Sequence, residues 1–136
     1  AEYVVDLLKE SGRKLRPNRG FNPHRRQIRL RNLGAEERAR IIKKDSRYAN
    51  IVCRCELVSE GEIREAIKRG ATTVDGIKLR TRTGMGRCQG GFCTPKIIKI
   101  LSEELQITPC EVSKKGAGSS LLADRIRQEC MDEREG

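Results

Sequence analysis

The sequence predicts a small all-α domain preceded by a basic, partly irregular N-terminal extension. Three observations favour this fold. Three segments between residues 59 and 106 combine helix-start signals with apolar residues at helical spacing. Four cysteines form two close pairs, Cys53 with Cys55 and Cys88 with Cys93, around the first two of these segments. Only 36% of the 136 residues are hydrophobic and 3% aromatic, so the core is thin and a metal centre would add stability that packing lacks.

The first two predicted helices are defined by their start signals. Ser59 and Glu62 form a capping box that begins a helix ending at Gly70. A second helix begins near Thr73 and ends by Gly84. The apolar residues expected to face inward are Ile63, Ala66, Ile67, Val74, Ile77 and Leu79.

The third helix carries the strongest apolar pattern in the chain. We expect Thr94 to cap it, Pro95 to take its first position, and the helix to continue to about Gln106. A repeat of the start signal at residues 108–111 predicts one further short turn. The only segment with a strand signal covers residues 48–52. The core-facing residues of the third helix are Ile97, Ile98, Leu101 and Leu105.

The first 47 residues predict two helices joined by a basic connector. Ala1–Glu10 places apolar residues on one side of a helix, and we expect this face to pack on a partner outside the chain; packing on the domain itself is the alternative. The stretch Arg13–Arg31 holds eight Lys or Arg residues and no acid, and proline and glycine interrupt it. A short helix follows at Ala35–Lys44.

We therefore divide the chain into a terminal helix at 1–12, a connector at 13–47, a metal-binding domain at 48–118 and a tail at 119–136. The tail allows one more helix, on Leu122, Ile126 and Cys130.

Four thiols without a nearby histidine suit a thiophilic centre, either tetrahedral zinc or an iron-sulfur cluster. Cys53-Arg54-Cys55 is a closer spacing than structural zinc sites usually use, and a 2Fe-2S cluster accommodates it better. Glycines at 84, 86, 90 and 91 would let backbone amides approach the cluster. Cations that would favour the reduced form are Arg54, Lys78, Arg80, Arg82 and Arg87.

Three motifs together resemble a known family. They are Ile51-Val52-Cys53-Arg54-Cys55-Glu56, Asp75-Gly76-Ile77-Lys78, and Arg82-Thr83-Gly84-Met85-Gly86-Arg87-Cys88-Gln89-Gly90-Gly91-Phe92-Cys93. Over roughly residues 45 to 122 the chain is similar to 2Fe-2S domains of the bacterioferritin-associated ferredoxin type. It is more similar to the version at the C-terminus of FAD-dependent oxidoreductases of the anaerobic glycerol-3-phosphate dehydrogenase kind. Free-standing ferredoxins of this group have two residues between the last two cysteines, whereas this chain has four, as the oxidoreductase-linked version does.

The resemblance implies a one-electron relay with Cys53, Cys55, Cys88 and Cys93 as ligands of a 2Fe-2S cluster. The parent would carry FAD in a missing part, oxidise glycerol 3-phosphate or a similar substrate, and pass electrons to an acceptor protein or subunit. Expected partners are therefore the FAD domain and this acceptor, with a further contact to a peripheral membrane subunit. The terminal helix at 1–12 would be the last helix of the FAD domain. Because the chain begins without an initiator methionine, we expect it to be a fragment of a longer protein.

Other functions stay open at this stage. A structural zinc domain would use the same four cysteine ligands, and zinc is also able to substitute for the cluster. A sensor that responds to loss of the cluster would use the same residues as a relay. A nucleic-acid-binding module would use the net charge of +10, but the basic run lacks interleaved aromatic residues, so nucleic acid is not an expected partner. We find no set of catalytic residues in this chain alone, and whether it acts as an enzyme stays open. Cys110 is interpreted as a buried structural thiol, Cys130 as a thiol in the tail and His24 as a surface residue. Without a signal peptide or a membrane-spanning run, we expect a cytoplasmic protein.

Overall fold

The computed structural model describes residues 2–21 and 27–122. Within these ranges the chain forms five helices and one small sheet. Short 3₁₀ turns cover Leu30–Asn32, Ser46–Ala49 and Pro109–Glu111. His24, Cys130 and most of the predicted C-terminal helix lie outside the described residues. The elements are α1 (Glu2–Glu10), α2 (Ala35–Lys44), β1 (Ile51–Cys53), β2 (Val58–Ser59), α3 (Glu60–Lys68), α4 (Val74–Thr81) and α5 (Thr94–Leu105).

The prediction of an all-α fold is wrong, because β1 and β2 pair as an antiparallel sheet. Ile51 lies opposite Ser59 and Cys53 opposite Val58, with an irregularity in the register between them. Reversing the chain between Cys53 and Val58 buries both side chains in the core and delivers Ser59 to the start of α3. Strands of three and two residues are too short to show an alternating pattern in the sequence. The domain is therefore mixed, with helices built around a two-stranded hairpin.

Of the starts predicted for the three longer helices of the domain, two are confirmed and one is wrong. The Ser59 hydroxyl accepts a hydrogen bond from the Glu62 amide at 3.3 Å, and the Glu62 carboxylate accepts one from the Ser59 amide at 2.9 Å. Thr73 caps α4 with its hydroxyl alone, which accepts a hydrogen bond from the Gly76 amide at 3.0 Å. At α5, however, Cys93 occupies the cap position, while the Thr94 hydroxyl donates to the Gly90 carbonyl at 2.7 Å. The Thr94 hydroxyl is therefore engaged by the preceding loop and makes no cap.

The core lies between the hairpin and helices α3, α4 and α5. Helix α3 packs against both α4 and α5. Leu79, predicted to face inward, is instead 76% exposed, and Leu105 is only partly buried against the core. Across α3 and α5, the Arg64 guanidinium donates to Glu60 on its own helix and to Glu103 and Glu104 on α5, each at 2.6 Å. The largest fully buried apolar side chains are Ile63, Ile77, Ile97, Leu101 and Val112.

In the described part of the N-terminal segment, the 3₁₀ turn Leu30–Asn32 of the connector packs against β2 of the domain. Every described residue of α1 is exposed, including its apolar side chains. Leu30 is 3% exposed, and its carbonyl accepts a hydrogen bond from Nε of Arg38 on α2 at 2.9 Å. The next residue, Arg31, donates to the Glu56 carboxylate at 2.7 Å and so anchors this part of the connector to the domain. None of the helices in the described part of the chain has the length and hydropathy that crossing a bilayer requires.

Candidate metal centre

The β1–β2 hairpin positions the first two cysteines at different depths. Cys53 is the last residue of β1 and only 2% of its surface is exposed, because β1 packs on the core. Cys55 follows in the turn and is exposed. Leu57 closes the turn in the left-handed conformation at a φ of 52°. The Cys-x-Cys spacing therefore sends one thiol inward and leaves the other at the surface.

A glycine-rich loop between α4 and α5 positions the other two cysteines. The loop turns through left-handed conformations at Gln89 and Gly90, with φ of 48° and 89°. Cys88 is half-buried within it, and Cys93 is 1% exposed where the loop enters α5. This loop therefore also supplies one buried thiol and one closer to solvent.

The two loops meet so that each spatial pair takes one cysteine from each loop. The Sγ atoms of Cys55 and Cys88 are 3.8 Å apart at the surface. The thiol of Cys93 interacts with that of Cys53 and is influenced by the charge of Cys88. Gly86 permits this approach, since a Cβ added there would lie 2.2 Å from Cys55 Cβ. All four predicted site residues are brought into one region, as two pairs.

The pairing differs from a set of ligands around one point. In residues 2–21 and 27–122, no three side chains of the His, Cys, Asp and Glu types are grouped so that they could hold a single metal ion. A 2Fe-2S cluster makes a different demand, because two irons are held by four thiolates. The donor set of two thiol pairs, with backbone amides close by, fits that demand.

The environment perturbs two of the thiols in opposite directions. Backbone hydrogen bonds from Phe92 and Gly90 lower the pKa of Cys88, so the loop stabilises the thiolate that metal binding needs. Burial, together with the neighbouring thiol of Cys53, raises the pKa of Cys93 to about 11. The Cys93 thiol accordingly resists ionisation until a metal cation compensates its charge.

Glu56 is a site residue to which the sequence analysis gave no role. Its carboxylate accepts hydrogen bonds from Arg31 at 2.7 Å and from Arg82 at 3.1 Å. These arginines lower the pKa of Glu56, with Arg82 contributing most. The carboxylate thus ties the turn that carries Cys55 to the end of α4 and to the connector. Its position directly after Cys55 was the only signal, and it did not reveal partners 25 and 26 residues away.

The remaining candidates lie outside the four-thiol region or are engaged elsewhere. Cys110 is half-buried in the 3₁₀ turn at Pro109–Glu111, and its carbonyl accepts a hydrogen bond from Ser120 at 2.8 Å. Of the cations predicted to surround the cluster, Arg82 pairs with Glu56. Arg54 and Arg87 are exposed, and in the sequence they directly precede Cys55 and Cys88.

Taken together, the fold and the site define a small thiolate metal domain with a hairpin and three core helices. Residues 51–103 match the family model described as "BFD-like [2Fe-2S] binding domain". This part of the chain is accordingly a BFD-like [2Fe-2S] binding domain, which confirms the predicted family and an iron-sulfur cofactor. No solved structure shows significant similarity to the chain.

Several of the curated relatives are named as dehydrogenases or as subunits of dehydrogenases and oxidases. The chain is 46% identical to a glycerol 3-phosphate dehydrogenase of Caloramator mitchellensis over 130 residues, which cover 93% of this chain and 27% of the relative. It is 35% identical to an anaerobic glycerol-3-phosphate dehydrogenase subunit of Haloferax volcanii over 54 residues, which cover 40% of this chain and 9% of the relative. It is 39% identical to an opine oxidase subunit of Rhizobium meliloti over 62 residues, which cover 46% of this chain and 12% of the relative.

The chain therefore spans about a quarter or less of the length of these relatives. It contains a 2Fe-2S-binding domain and is similar to one part of proteins named glycerol-3-phosphate dehydrogenase. This confirms the predicted function at the level of the domain and is consistent with electron relay in a dehydrogenase. The comparisons give no support to zinc as a substitute.

Proposed function

We propose that Cys53, Cys55, Cys88 and Cys93 hold a 2Fe-2S cluster through which a flavin-dependent dehydrogenase passes electrons to a further acceptor. The observation that carries the proposal is the meeting of the hairpin turn and the glycine-rich loop, where the Cys55 and Cys88 sulfurs are 3.8 Å apart. A bound 2Fe-2S cluster supplies reversible one-electron oxidation and reduction. The protein's task is to hold the thiolates, limit water and leave an approach for the partner.

The buried and the exposed cysteines contribute to this task in different ways. Cys53 and Cys93 are anchored on the ends of β1 and α5, where core packing restricts their movement and excludes water. Cys55 lies at the surface, which leaves a short path between the centre and an approaching redox partner. Backbone donors directed at Cys88 stabilise negative charge on its sulfur. The same donors would favour the extra negative charge of the reduced state.

The parent protein is proposed from its relatives. Most of the Caloramator mitchellensis relative lies outside the region of similarity, and its name is glycerol 3-phosphate dehydrogenase. We place FAD in that missing part and take glycerol 3-phosphate or a similar compound as the substrate. The acceptor is a further protein or subunit, and a membrane-associated subunit is one potential contact. Because thiolate ligands require a reducing compartment during assembly, we place the protein in the cytoplasm.

Helix α1 fits this arrangement as part of the FAD domain. Its apolar side chains are exposed, with Val4 at 56% and Leu7 at 46%. A face of this kind on a short amphipathic helix is stable mainly through tertiary packing. We propose that it packs on the missing FAD domain, with residues 13–47 as the connector.

The experiment is anaerobic purification followed by visible spectroscopy and by assays of iron, sulfide and zinc on the same sample. We expect absorbance between roughly 400 and 600 nm and about two irons and two sulfides per chain, as a 2Fe-2S centre requires. Cys88→Ser should abolish or strongly weaken the absorbance. Cys110→Ser is the matched control and should retain it. Wild-type absorbance in Cys88→Ser, or zinc alone even after anaerobic reconstitution with iron and sulfide, would overturn the proposal.

A further inference from the structure

An exposed aromatic side chain lies at the surface pair of thiols. Phe92 is 83% exposed, although its neighbour Cys93 is buried. The Phe92 backbone hydrogen-bonds to Cys88, so residue 92 is attached directly to the outer thiol pair and carries its exposed ring at that surface. We propose that this surface, the thiol face formed by Arg54, Cys55, Arg87, Cys88 and Phe92, is the docking site for an acidic electron-transfer protein. The inference rests on the proposed function.

The position of Phe92 distinguishes it from an ordinary exposed apolar residue. Of the two Phe and two Tyr residues, all in the described part of the chain, only Tyr48 is buried, so what distinguishes Phe92 is its place next to Cys93 and not its exposure alone. Single exposed apolar residues are common on proteins. An aromatic ring surrounded by polar groups, however, has the features of an interface anchor that fills a recess in a partner. Here the anchor lies where the path to the centre is shortest.

The charge of the thiol face selects the partner. Arg54 and Arg87 are exposed and directly precede Cys55 and Cys88. Residues 84–99 contain no Asp or Glu. The nearest acid along the chain, Glu56, has a side chain only 13% exposed and engaged by two arginines. The face is therefore cationic, and it would steer and orient a partner with acidic groups around an apolar recess.

An acidic flavodoxin, an FMN-carrying one-electron carrier, provides a probe with this chemistry. The dissociation constant of its complex with the cluster-loaded chain would be measured at low and high salt, together with the rate of electron transfer. We expect Phe92→Ala to raise the dissociation constant by roughly thirtyfold, the effect of an interface anchor. Phe92→Tyr keeps the ring and should stay within about threefold. Replacing Arg54 and Arg87 by Gln should weaken binding by about twofold to fivefold each at low salt and little at high salt.

Matched controls locate the effect. Phe21 in the connector is 69% exposed, so Phe21→Ala removes an equally accessible ring. Arg13→Gln with Arg16→Gln removes the same charge from exposed connector positions. These variants should bind flavodoxin as the wild type does. Equal or greater loss in the connector variants, wild-type binding by Phe92→Ala, or tighter binding of a DNA duplex at the same face would overturn the inference.

The visible spectrum separates the two proposals. If the wild type and Phe92→Ala both load the cluster and bind flavodoxin equally well, the relay stands and the docking site is refuted. A chain that never loads the cluster refutes the relay and the docking site together.

Discussion

The close contact between Gly86 and Cys55 provides a strict test of the proposed centre. A Cβ at position 86 would lie 2.2 Å from Cys55 Cβ and 3.5 Å from Cys55 Cα. Carbon atoms in contact are about 3.5–4.0 Å apart, so Gly86→Ala requires a separation of more than about 1 Å. Both Cβ positions are fixed by the backbone, and no side-chain rotation can relieve the overlap. One of the two loops must move.

That movement is larger than the centre tolerates. Metal-ligand distances are held within about 0.2 Å and designed sites within about 0.5 Å. A shift of about 1 Å would therefore displace Cys55 or Cys88 from its position. We expect Gly86→Ala to lower cluster occupancy and to speed loss of visible absorbance when a chelator is added. The apo protein should lose about 1–3 kcal/mol of unfolding free energy through overpacking, and its helical circular dichroism should persist.

Gly20→Ala is the control. Gly20 lies in the connector, and an added Cβ would meet only the side-chain oxygen of Asn18 at 3.5 Å, an ordinary contact. Neither Gly86 nor Gly20 has a left-handed backbone, so the two substitutions differ in space rather than in strain. Wild-type absorbance and wild-type resistance to chelator in Gly86→Ala would refute the reasoning, because the loops would then not meet as the structure shows.

Three further predictions concern stability. Gly61→Ala would place a Cβ 2.6 Å from the Tyr48 ring, so urea unfolding should show a loss of about 1–3 kcal/mol. Arg64→Ala removes a cation shared by Glu60, Glu103 and Glu104 and should cost about 1–2 kcal/mol at low salt and less at high salt; equal costs would contradict the ion-pair explanation. Hydrogen bonds from the Thr108 amide and hydroxyl lower the pKa of Glu111 below its ordinary value, so its carboxylate stabilises the fold above that ordinary value and ceases to do so as the pH falls through the lowered pKa. Glu111→Gln should therefore lower the melting temperature at pH 7, and the difference should vanish in acid.

Helix starts were the most predictable part of the fold, because their signals are local. The capping boxes at Ser59 and Thr108 join residues three apart, and the structure contains both. The cap predicted at Thr94 was wrong because its hydroxyl is engaged by the Gly90 carbonyl, which depends on a left-handed loop. Leu79 is exposed because two residues after Ile77 correspond to about 200° around a helix. The local signal therefore fails at Thr94, where a neighbouring loop decides the outcome, whereas the exposure of Leu79 follows from helix geometry.

The hairpin and the partners of Glu56 were less accessible to sequence reasoning. Strands of three and two residues carry almost no periodicity, and their pairing is stabilised by the core they cover. The Arg31–Glu56 contact joins residues 25 apart and requires the end of the connector to pack on the domain. The four thiols were identifiable because their spacing is itself the signal. Their arrangement as two pairs, each with one cysteine from each loop, was not identifiable, because it depends on how the two loops meet.

The depth of the thiols links the stability of the domain to its proposed function. Cys53 and Cys93 belong to the same buried cluster as Ile97 and Leu101, so whatever occupies the inner pair also supports the core. Cys55 and Cys88 lie on loops nearer the surface, beside Phe92 and outside that cluster. A relay needs both properties, because a rigid inner half holds the centre in place while an accessible outer half shortens the distance to a partner. The same division predicts that loss of the cluster loosens the two loops first and leaves α3 and α5 packed.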